Sequence, residues 1–476
     1  MAGSSIHLQS IAGLGRLLRS GELSPVELSR HYLARIETLD PSLNAFRLLS
    51  PERALDAARA AESDLRAGRN LGPLHGIPYV AKDLFDVRGL PTTAGARVLE
   101  DNIADRDAAV ISRMNAAGMI LLGKTNTVQF AYGGAGVNHD HGTPHNPWLA
   151  EHHLPGGSSS GTCVAVAARM TPAGLGTDTG GSVRIPASLC GITGLKTTVG
   201  RVSRAGVYPL SWTLDSVGPL ATTVEDAALI YRSIRGVDPE DDSTVDRPHG
   251  DGGPDDDLSD LRIAFAESGF WDGVDAEISE LVRRTGPIFE GLGARVDSVE
   301  FSEAQAAREL NPRAGIIAAE AYTLNRHLLE EKLDQLDPIV VSRMLPAREV
   351  PAHEYLRTTL ERKALCRRAA RAFDDIDALL CPTTMIAARP FAEVEADTAV
   401  YHDVNVSYLR NTAIGNILGL CGLSVPCGFT SKGLPVGLMI YGRPFDEEGI
   451  LRIGQAFQTV TEWHLRVPDL AWAGEA

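Results

Sequence analysis

The chain has 476 residues, a formal net charge of -16 at pH 7 and 44% hydrophobic residues. This balance is ordinary for a globular protein, and a chain of this size can bury a core without disulfides. The acidic charge argues against nucleic acid as a partner, because phosphate binding requires clustered Lys and Arg. No uncharged apolar stretch reaches about 18 residues, so neither a transmembrane helix nor a membrane partner is expected.

The first seventy residues predict helices that pack on a larger body. Ser-Pro pairs at 24–25 and 50–51 each form a helix start, in which Ser is the N-cap and Pro opens the first turn. We therefore expect residues 1–70 to be N-terminal helices packed on the core. Residues 71–476 are expected to form one large domain.

Beyond residue 71, short apolar runs alternate with helical patterns. This alternation predicts an α/β fold in which helices cover both faces of a sheet. Residues 275–375 have a largely helical, charged pattern, so we expect a helical cap over the sheet there. Residues 236–260 are rich in Pro, Gly and Asp and are expected to be an exposed loop. A helix is predicted at 107–117, and strands at 77–81, 119–122, 261–266, 378–381, 423–425 and 436–441.

The cysteines form no Cys-x-x-Cys pair, and no set of Cys and His has the spacing of a zinc site. Most lie in apolar runs that predict buried free thiols, which is typical of a reducing compartment. Residues 1–16 lack the basic and apolar regions of a signal peptide. We therefore expect a cytoplasmic protein with no metal and no cofactor. The six cysteines are Cys163, Cys190, Cys366, Cys381, Cys421 and Cys427.

Segment 176–188 carries the strongest functional signal, because Ser182 lies directly behind Gly180 and Gly181. The segment is polar and rich in glycine, so we expect neither an ordinary strand nor an ordinary helix. Glycines admit unusual backbone conformations and let another molecule approach the backbone N–H groups. Such N–H groups beside a nucleophilic oxygen stabilise an oxyanion during acyl transfer. Taken alone, the segment fits a tight turn and a nucleophile loop equally well.

Two upstream segments favour the nucleophile loop. Ser158 lies in a second glycine–serine run, 24 residues before Ser182, and Lys82 follows a short apolar run. A lysine can act as a base only after it loses its proton, and burial can lower a lysine pKa by about 3–5 units. The alternative for Lys82 is a strand-end lysine that reaches solvent or pairs with Asp83 or Asp86.

Histidine is the usual base for a serine nucleophile, but no histidine occupies an obvious partner position in this chain. Five histidines lie between residues 139 and 153 at irregular spacing, without a helical His-Glu-x-x-His pattern. We interpret them as surface loop residues rather than metal ligands. They are His139, His141, His145, His152 and His153.

Lys82, Ser158 and Ser182, each in its motif, closely resemble the amidase signature family. The likeness extends from about residue 25 to residue 465 and is strongest between 74 and 230. It implies that residues 71–476 form an amidase signature domain, with a central mixed, twisted sheet covered by helices on both faces. Further matching motifs lie at 123–126, 190–191, 200–203, 214–219, 381–383 and 423–428.

The resemblance also implies a mechanism. Lys82 would deprotonate Ser158, and Ser158 would take the proton of Ser182 as Ser182 attacks the carbonyl and forms an acyl-enzyme. In the family the bridging serine follows a cis peptide, which here would be the Gly157–Ser158 bond. The oxyanion hole would be formed by four successive backbone N–H groups, those of Thr179, Gly180, Gly181 and Ser182.

Residues 156–161 depart from the family pattern by a third serine. The family has Gly-Gly-Ser-Ser-Gly-Gly, whereas this chain has Gly-Gly-Ser-Ser-Ser-Gly. Ser158 keeps the family's spacing to Ser182 and is assigned the relay, which leaves Ser159 as a supporting hydrogen-bond donor. Gln129 stands where many relatives have an acid, at a position that we interpret as structural.

The acyl pocket is expected beyond Ser182, in parts of the chain that vary among relatives. Candidate substrate-binding residues are Phe130, Tyr132 and Trp212. Tyr132 and Trp212 could flank an apolar acyl group, but core packing accounts for them equally well. The expected partners are a small-molecule amide substrate and, by the family's habit, a second copy of this chain in a homodimer.

Three functions remain open. We favour a stand-alone amidase that acts on a neutral amide, with esters or hydrazides as side substrates. The alternative is the glutaminase-type component of the tRNA-dependent amidotransferase, its A chain, which binds the amino group of glutamine with an acid in the segment matching residues 408–416. This chain has no acid between Asp403 and residue 416. A non-catalytic binding protein on this fold is disfavoured, because Lys82, Ser158 and Ser182 are all intact.

Overall fold

The computed structural model describes residues 6–248, 257–312 and 315–475, and the strands in this part of the chain form one sheet. The strands are β1 (Phe46–Leu49), β2 (Pro78–Lys82), β3 (Ile120–Thr125), β4 (Ala173–Asp178), β5 (Thr193–Lys196), β6 (Ser216–Ala221), β7 (Arg262–Ala266), β8 (Arg295–Val299), β9 (Ala378–Pro382), β10 (Cys421–Phe429) and β11 (Pro435–Gly442). Their order across the sheet is β1-β3-β2-β4-β6-β5-β10-β11-β9-β7-β8.

The sheet is mixed, as the resemblance implies. Towards one edge β3, β2 and β4 run parallel, and towards the other β9, β7 and β8 run parallel. The neighbours from β4 through β6, β5, β10 and β11 to β9 are antiparallel, and β1 is antiparallel to β3. The predicted α/β fold with a central mixed sheet is confirmed.

Helices cover both faces of the sheet. On β9, Leu379 and Cys381 belong to one buried apolar cluster, whereas Ala378 and Leu380 belong to another. Successive side chains of a strand point to opposite faces, so both faces of β9 are buried. The helices are α1 (Ile11–Ser20), α2 (Pro25–Leu43), α3 (Pro51–Arg66), α4 (Ala109–Ala116), α5 (Ser160–Ala167), α6 (Arg184–Cys190), α7 (Val224–Ile234), α8 (Ala276–Arg283), α9 (Thr285–Gly291), α10 (Ser302–Leu310), α11 (Gly315–Glu331), α12 (Pro338–Met344), α13 (Ala352–Arg371), α14 (Phe391–Ala396), α15 (Thr398–Leu418) and α16 (Glu447–Thr459).

Helices α2 and α3 begin where the Ser-Pro pairs predict, whereas α1 follows no such pair and was not predicted. Ser24 and Glu27 form a reciprocal capping box at the start of α2, with hydrogen bonds of 3.0 and 2.9 Å. Between α2 and α3, β1 joins the edge of the sheet against β3. The division at residue 70 stays a prediction. No helix among the described residues is both long enough and apolar enough to cross a membrane.

All six predicted strands are present as β2, β3, β7, β9, β10 and β11. Five strands were not predicted, and three of these, β4, β5 and β6, are short and rich in glycine and other small residues. Glycine and small residues lower strand propensity, so tertiary packing rather than local preference forms these strands. β1 and β8 were also missed.

Segment 176–188 and the cap differ in part from the sequence-based expectations. Segment 176–188 was expected to be neither strand nor helix, which is wrong at both ends: Gly176 to Asp178 complete β4, and α6 begins at Arg184. The 275–375 cap is largely helical, but it includes β8, which forms the other edge of the sheet. Within the predicted 236–260 loop, residues 249–256 lie outside the described residues, and the described flanks contain no helix or named strand.

Close packing of β6 against β5 leads to a stability prediction. A Cβ on Gly218 would overlap the backbone carbonyl oxygen of Leu195, which cannot move without disturbing the sheet. Gly218→Ala is expected to lower the free energy of unfolding by about 2–3 kcal/mol, the usual effect of overpacking. Gly291→Ala is the control, because nothing lies within 4 Å of that Cβ position. Equal thermal unfolding midpoints for the two variants would contradict this packing.

Candidate active site

Lys82 lies at the end of β2, between β3 and β4, and its side chain is buried. Its Nζ is 2.7 Å from Ser158 Oγ and 2.8 Å from Thr177 Oγ1. The alternative of a lysine that reaches solvent or pairs with Asp83 or Asp86 is therefore wrong. Asp83 instead pairs with the buried Lys124, at 2.6 Å.

Burial is the main influence on the charge of Lys82. The loss of water disfavours the ammonium form and lowers the pKa of Lys82 to about 7, against smaller opposing effects from the Asp215 and Asp178 carboxylates. A large fraction of Lys82 is therefore neutral at neutral pH and able to accept a proton.

Ser158 and its neighbours join the two glycine–serine segments. The Gly157–Ser158 peptide is cis, as the resemblance implies. The Ser158 carbonyl accepts a hydrogen bond from Thr127 Oγ1 at 2.8 Å. Ser159 donates its N–H to the Ser182 carbonyl at 3.2 Å and its hydroxyl to the Thr177 carbonyl at 3.4 Å. These bonds fix the backbone of residues 158–159 against residue 182.

The Ser182 loop, residues 179–183, connects β4 to α6. Within the described parts of the chain, the N–H groups of residues 179–182 donate to no backbone or side-chain acceptor, and the Ser182 hydroxyl has no partner. Gly181 has φ 136°, and a Cβ there would overlap the Thr412 hydroxyl. Only glycine fits this position, and the four N–H groups remain available to bind a ligand oxygen.

A buried ion pair holds the two ends of the Ser182 loop together. Arg184 donates to both carboxylate oxygens of Asp178, with Nε to Oδ2 at 3.0 Å and Nη2 to Oδ1 at 2.9 Å. Asn416 donates to the same carboxylate at 2.8 Å, and Arg184 also donates to the Tyr441 hydroxyl at 2.9 Å. Burial alone would raise the pKa of Asp178, but Arg184 outweighs it and the pKa falls to about 2.

Two further contacts fix the middle of the Ser182 loop. Thr179 Oγ1 donates to Asp215 Oδ1 at 2.6 Å, and Thr412 Oγ1 donates to the Gly180 carbonyl at 2.7 Å. Sequence reasoning missed the roles of Asp215 and Thr412, although both lie in segments that it had singled out. Their spacing along the chain gives no sign of these contacts.

The three candidate substrate-binding residues are placed differently. Phe130 is 1% exposed. Tyr132 is 8% exposed, which agrees with the core-packing alternative for that residue. Trp212 is 44% exposed and lines a cavity of about 210 Å3, together with Thr177, the hydrogen-bond partner of Lys82. Their roles in substrate binding stay predictions.

The side chains nearest Gly180 are apolar. A Cβ placed there would lie 3.4 Å from Leu409 Cδ2 and 3.9 Å from Ile317 Cδ1. Leu409 belongs to α15, and Ile317 belongs to the cap helix α11. The wall of the site at this point is therefore apolar.

Breaking the Asp178–Arg184 pair is expected to destabilise the fold. Asp178→Asn leaves a buried guanidinium without its counter-charge, so the free energy of unfolding should fall by about 3–5 kcal/mol. Because the folded-state pKa of Asp178, about 2, lies below its usual value of 3.8, the pair stabilises the protein above about pH 4. The wild-type stabilisation is lost as the pH falls towards 2.

Denaturant unfolding at pH 7 and pH 3 measures this difference. Asp105→Asn is the control, because Asp105 is exposed. An Asp178→Asn variant as stable as this control at pH 7 would show that the ion pair does not hold the loop.

Comparison with known proteins agrees with this geometry. The Amidase family profile matches residues 27–451. The chain is 38% identical to the A chain of glutamyl-tRNA(Gln) amidotransferase from Thioalkalivibrio sulfidiphilus, over 97% of this chain and 99% of that protein. The corresponding protein of Chloroflexus aggregans is also 38% identical, over 99% and 100% of the two chains.

Similar solved structures include a peptide amidase bound to chymostatin, with a TM-score of 0.84, 29% identity and coverage of 97% of this chain and 99% of that chain. The glutamyl-tRNA(Gln) amidotransferase A chain of Thermotoga maritima has a TM-score of 0.80 at 29% identity, over 96% and 95% of the two chains. Because the curated relatives are named as components of a tRNA-dependent enzyme, the expectation of no nucleic-acid partner is unsupported. Cytoplasmic location and homodimer formation stay predictions. The chain belongs to the amidase family.

Proposed function

We propose that this protein hydrolyses a carboxylic amide at its C–N bond, with Ser182 as nucleophile, Ser158 as proton relay and Lys82 as base. One observation carries the proposal: a buried lysine of lowered pKa lies 2.7 Å from the hydroxyl of Ser158. The next residue, Ser159, is in turn hydrogen-bonded to the backbone carbonyls of Ser182 and Thr177. Within the described residues this buried lysine contacts two hydroxyls and no carboxylate, and such a setting suits proton transfer better than a structural role.

Acylation begins as Ser182 Oγ bonds to the carbonyl carbon. The Ser182 proton passes to Ser158, and the Ser158 proton passes to Lys82 Nζ. The carbonyl oxygen becomes an oxyanion that accepts hydrogen bonds from the free N–H groups of residues 179–182. Lys82 returns its proton through Ser158 to the amide nitrogen, the C–N bond breaks and the amine or ammonia leaves.

Deacylation repeats these steps with water as the nucleophile. The water gives a proton to the same relay, and its oxygen bonds to the acyl carbon. The tetrahedral intermediate collapses, the ester bond to Ser182 breaks and the serine recovers its proton. The products are a carboxylic acid and a free enzyme, so no cofactor or redox partner is needed for balance.

Two amide classes are candidates for the substrate. The first is an amide with an apolar acyl group, cleaved by the chain acting alone, which agrees with Leu409 and Ile317 beside Gly180. The second is glutamine, cleaved within an amidotransferase complex, and the names of the curated relatives favour this candidate more strongly than a stand-alone amidase. Against it, the acid that binds the amino group of glutamine in those enzymes is absent from residues 408–416.

A substrate panel tests the reaction and separates the two candidates. Purified protein is incubated with glutamine, simple aliphatic amides and aryl amides, and released ammonia or amine is measured. Hydrolysis of aliphatic or aryl amides by the chain alone supports the first candidate. Activity with glutamine that depends on the other components of an amidotransferase supports the second.

Ser182→Ala, which removes only one oxygen atom, should reduce turnover of any active substrate at least about 10⁴-fold. Turnover unchanged in this variant would overturn the proposal.

Activity should depend on pH through Lys82. Because burial lowers its pKa to about 7, Lys82 is protonated below that pH and cannot accept the relayed proton. Therefore kcat/KM should fall about tenfold per pH unit below pH 6 and level off above pH 8.

A second buried lysine provides the matched control for this profile. Burial lowers the pKa of Lys196 to about 8, and among the residues that the structure describes its Nζ donates to the carbonyls of Thr197 and Leu420 and to no other acceptor. In Lys196→Met the fall of kcat/KM at low pH should keep the same midpoint. If kcat/KM no longer fell at low pH in this variant, Lys82 would not be the group that controls the profile.

A further inference from the structure

Glu320 is a buried carboxylate on the cap helix α11. It accepts hydrogen bonds from the Ser211 and Thr213 hydroxyls, from Thr213 N–H at 3.1 Å and from the Tyr355 hydroxyl at 2.6 Å. Among the described residues no Lys, Arg or His pairs with it. An ionised carboxylate offers about four acceptor sites and no donor, so it matches these four donors, whereas an amide does not.

Ser211 connects Glu320 to the Ser182 loop. Its hydroxyl bonds Glu320, and its backbone N–H donates to Asp215 Oδ2 at 2.9 Å. The other oxygen of Asp215 accepts the Thr179 hydroxyl at 2.6 Å. One continuous series of buried and partly buried hydrogen bonds therefore runs from α11 through Ser211 and Asp215 to Thr179, the first residue of the Ser182 loop.

Helix α11 also approaches that loop directly. Ile317, three residues before Glu320 and thus on the same face of the helix, lies beside Gly180. Asn325, further along α11, accepts a hydrogen bond from the Tyr208 hydroxyl at 2.7 Å. The helix therefore forms a wall of the site and also holds residues 208–215, which support the loop from behind.

We infer that Glu320 is a positioning residue, which holds the N–H groups of the Ser182 loop in place through Ser211, Asp215 and Thr179. The inference rests on the proposed hydrolysis, because it assigns those N–H groups to the oxyanion. A buried carboxylate without a cation is costly to the fold. This cost is accounted for if the carboxylate fixes groups whose position governs the reaction, since small displacements of preorganised donors slow catalysis strongly.

Labelling by an alkyl fluorophosphonate tests the role without knowledge of the substrate. Ser182 Oγ bonds to phosphorus, its proton passes through Ser158 to Lys82, the P–F bond breaks and fluoride leaves. The phosphoryl oxygen requires the same N–H groups. In Glu320→Gln, an NH2 group replaces one acceptor oxygen, so a donor group faces the hydrogen-bond donors that Glu320 accepts from. The maximal labelling rate should fall roughly 10–100-fold, while the half-saturating probe concentration stays within about twofold. Glu331→Gln, at the exposed end of the same helix, should match wild type.

A double-mutant cycle identifies the route. Ser211→Ala removes the link between Glu320 and Asp215 and should lower the maximal labelling rate by a similar factor. The combined Glu320→Gln, Ser211→Ala protein should be no slower than the slower single variant, because both changes break one series of contacts. Multiplied effects, or a maximal rate within twofold of wild type in Glu320→Gln, would overturn the inference.

Labelling of the wild type and of a Thr179→Val variant distinguishes failure of the proposed hydrolysis from failure of the positioning role. If wild type is not labelled at Ser182, the proposed hydrolysis fails and the positioning role fails with it. If wild type is labelled but the variants label equally fast, only the positioning role fails. Should Glu320→Gln not fold, Thr179→Val decides, because it removes only the last hydrogen bond in the series; an unchanged labelling rate in that variant counts against the inference.

Discussion

The ion pair between Asp178 and Arg184 is the interaction on which the site depends. It joins the last residue of β4 to the first residue of α6, so the five residues between them must form a closed loop. Neither charge is exposed to solvent, and Asn416 and Tyr441 complete the hydrogen bonding from distant parts of the chain. In the described part of the chain, residues 179–182 therefore keep their backbone N–H groups free, because the side chains at the ends of the loop supply the contacts that would otherwise hold it.

The parallel strands β2 and β4 bring the lysine and the Ser182 loop to the same edge of the sheet. Lys82 is the last residue of β2 and Asp178 the last of β4, and the carboxyl ends of parallel neighbours lie side by side. Thr177, one residue earlier on β4, reaches the lysine directly. Lys82 and Asp178 are thus 96 residues apart along the chain but lie at the ends of adjacent strands.

The residues proposed to react could be selected from the sequence, but the contacts that hold them could not. Lys82, Ser158 and Ser182 stand in short glycine-rich or apolar motifs whose chemistry is local. The contacts of Asp215 with Thr179 and of Glu320 with Ser211 join residues 36 and 109 positions apart, and no local pattern encodes them. Strands β4, β5 and β6 were not predicted, because packing against distant parts of the chain rather than strand propensity forms them.

The position of the hairpin β10–β11 has a consequence for the order of folding. It separates β5 from β9 in the sheet, although it lies near the end of the chain. During synthesis β5 and β9 therefore each keep one unpaired edge until residue 442 has left the ribosome. Tyr441, a partner of Arg184, belongs to this last hairpin. The nascent chain consequently acquires its closed Ser182 loop only after most of it has been translated, and until then its open strand edges are suited to protection by chaperones.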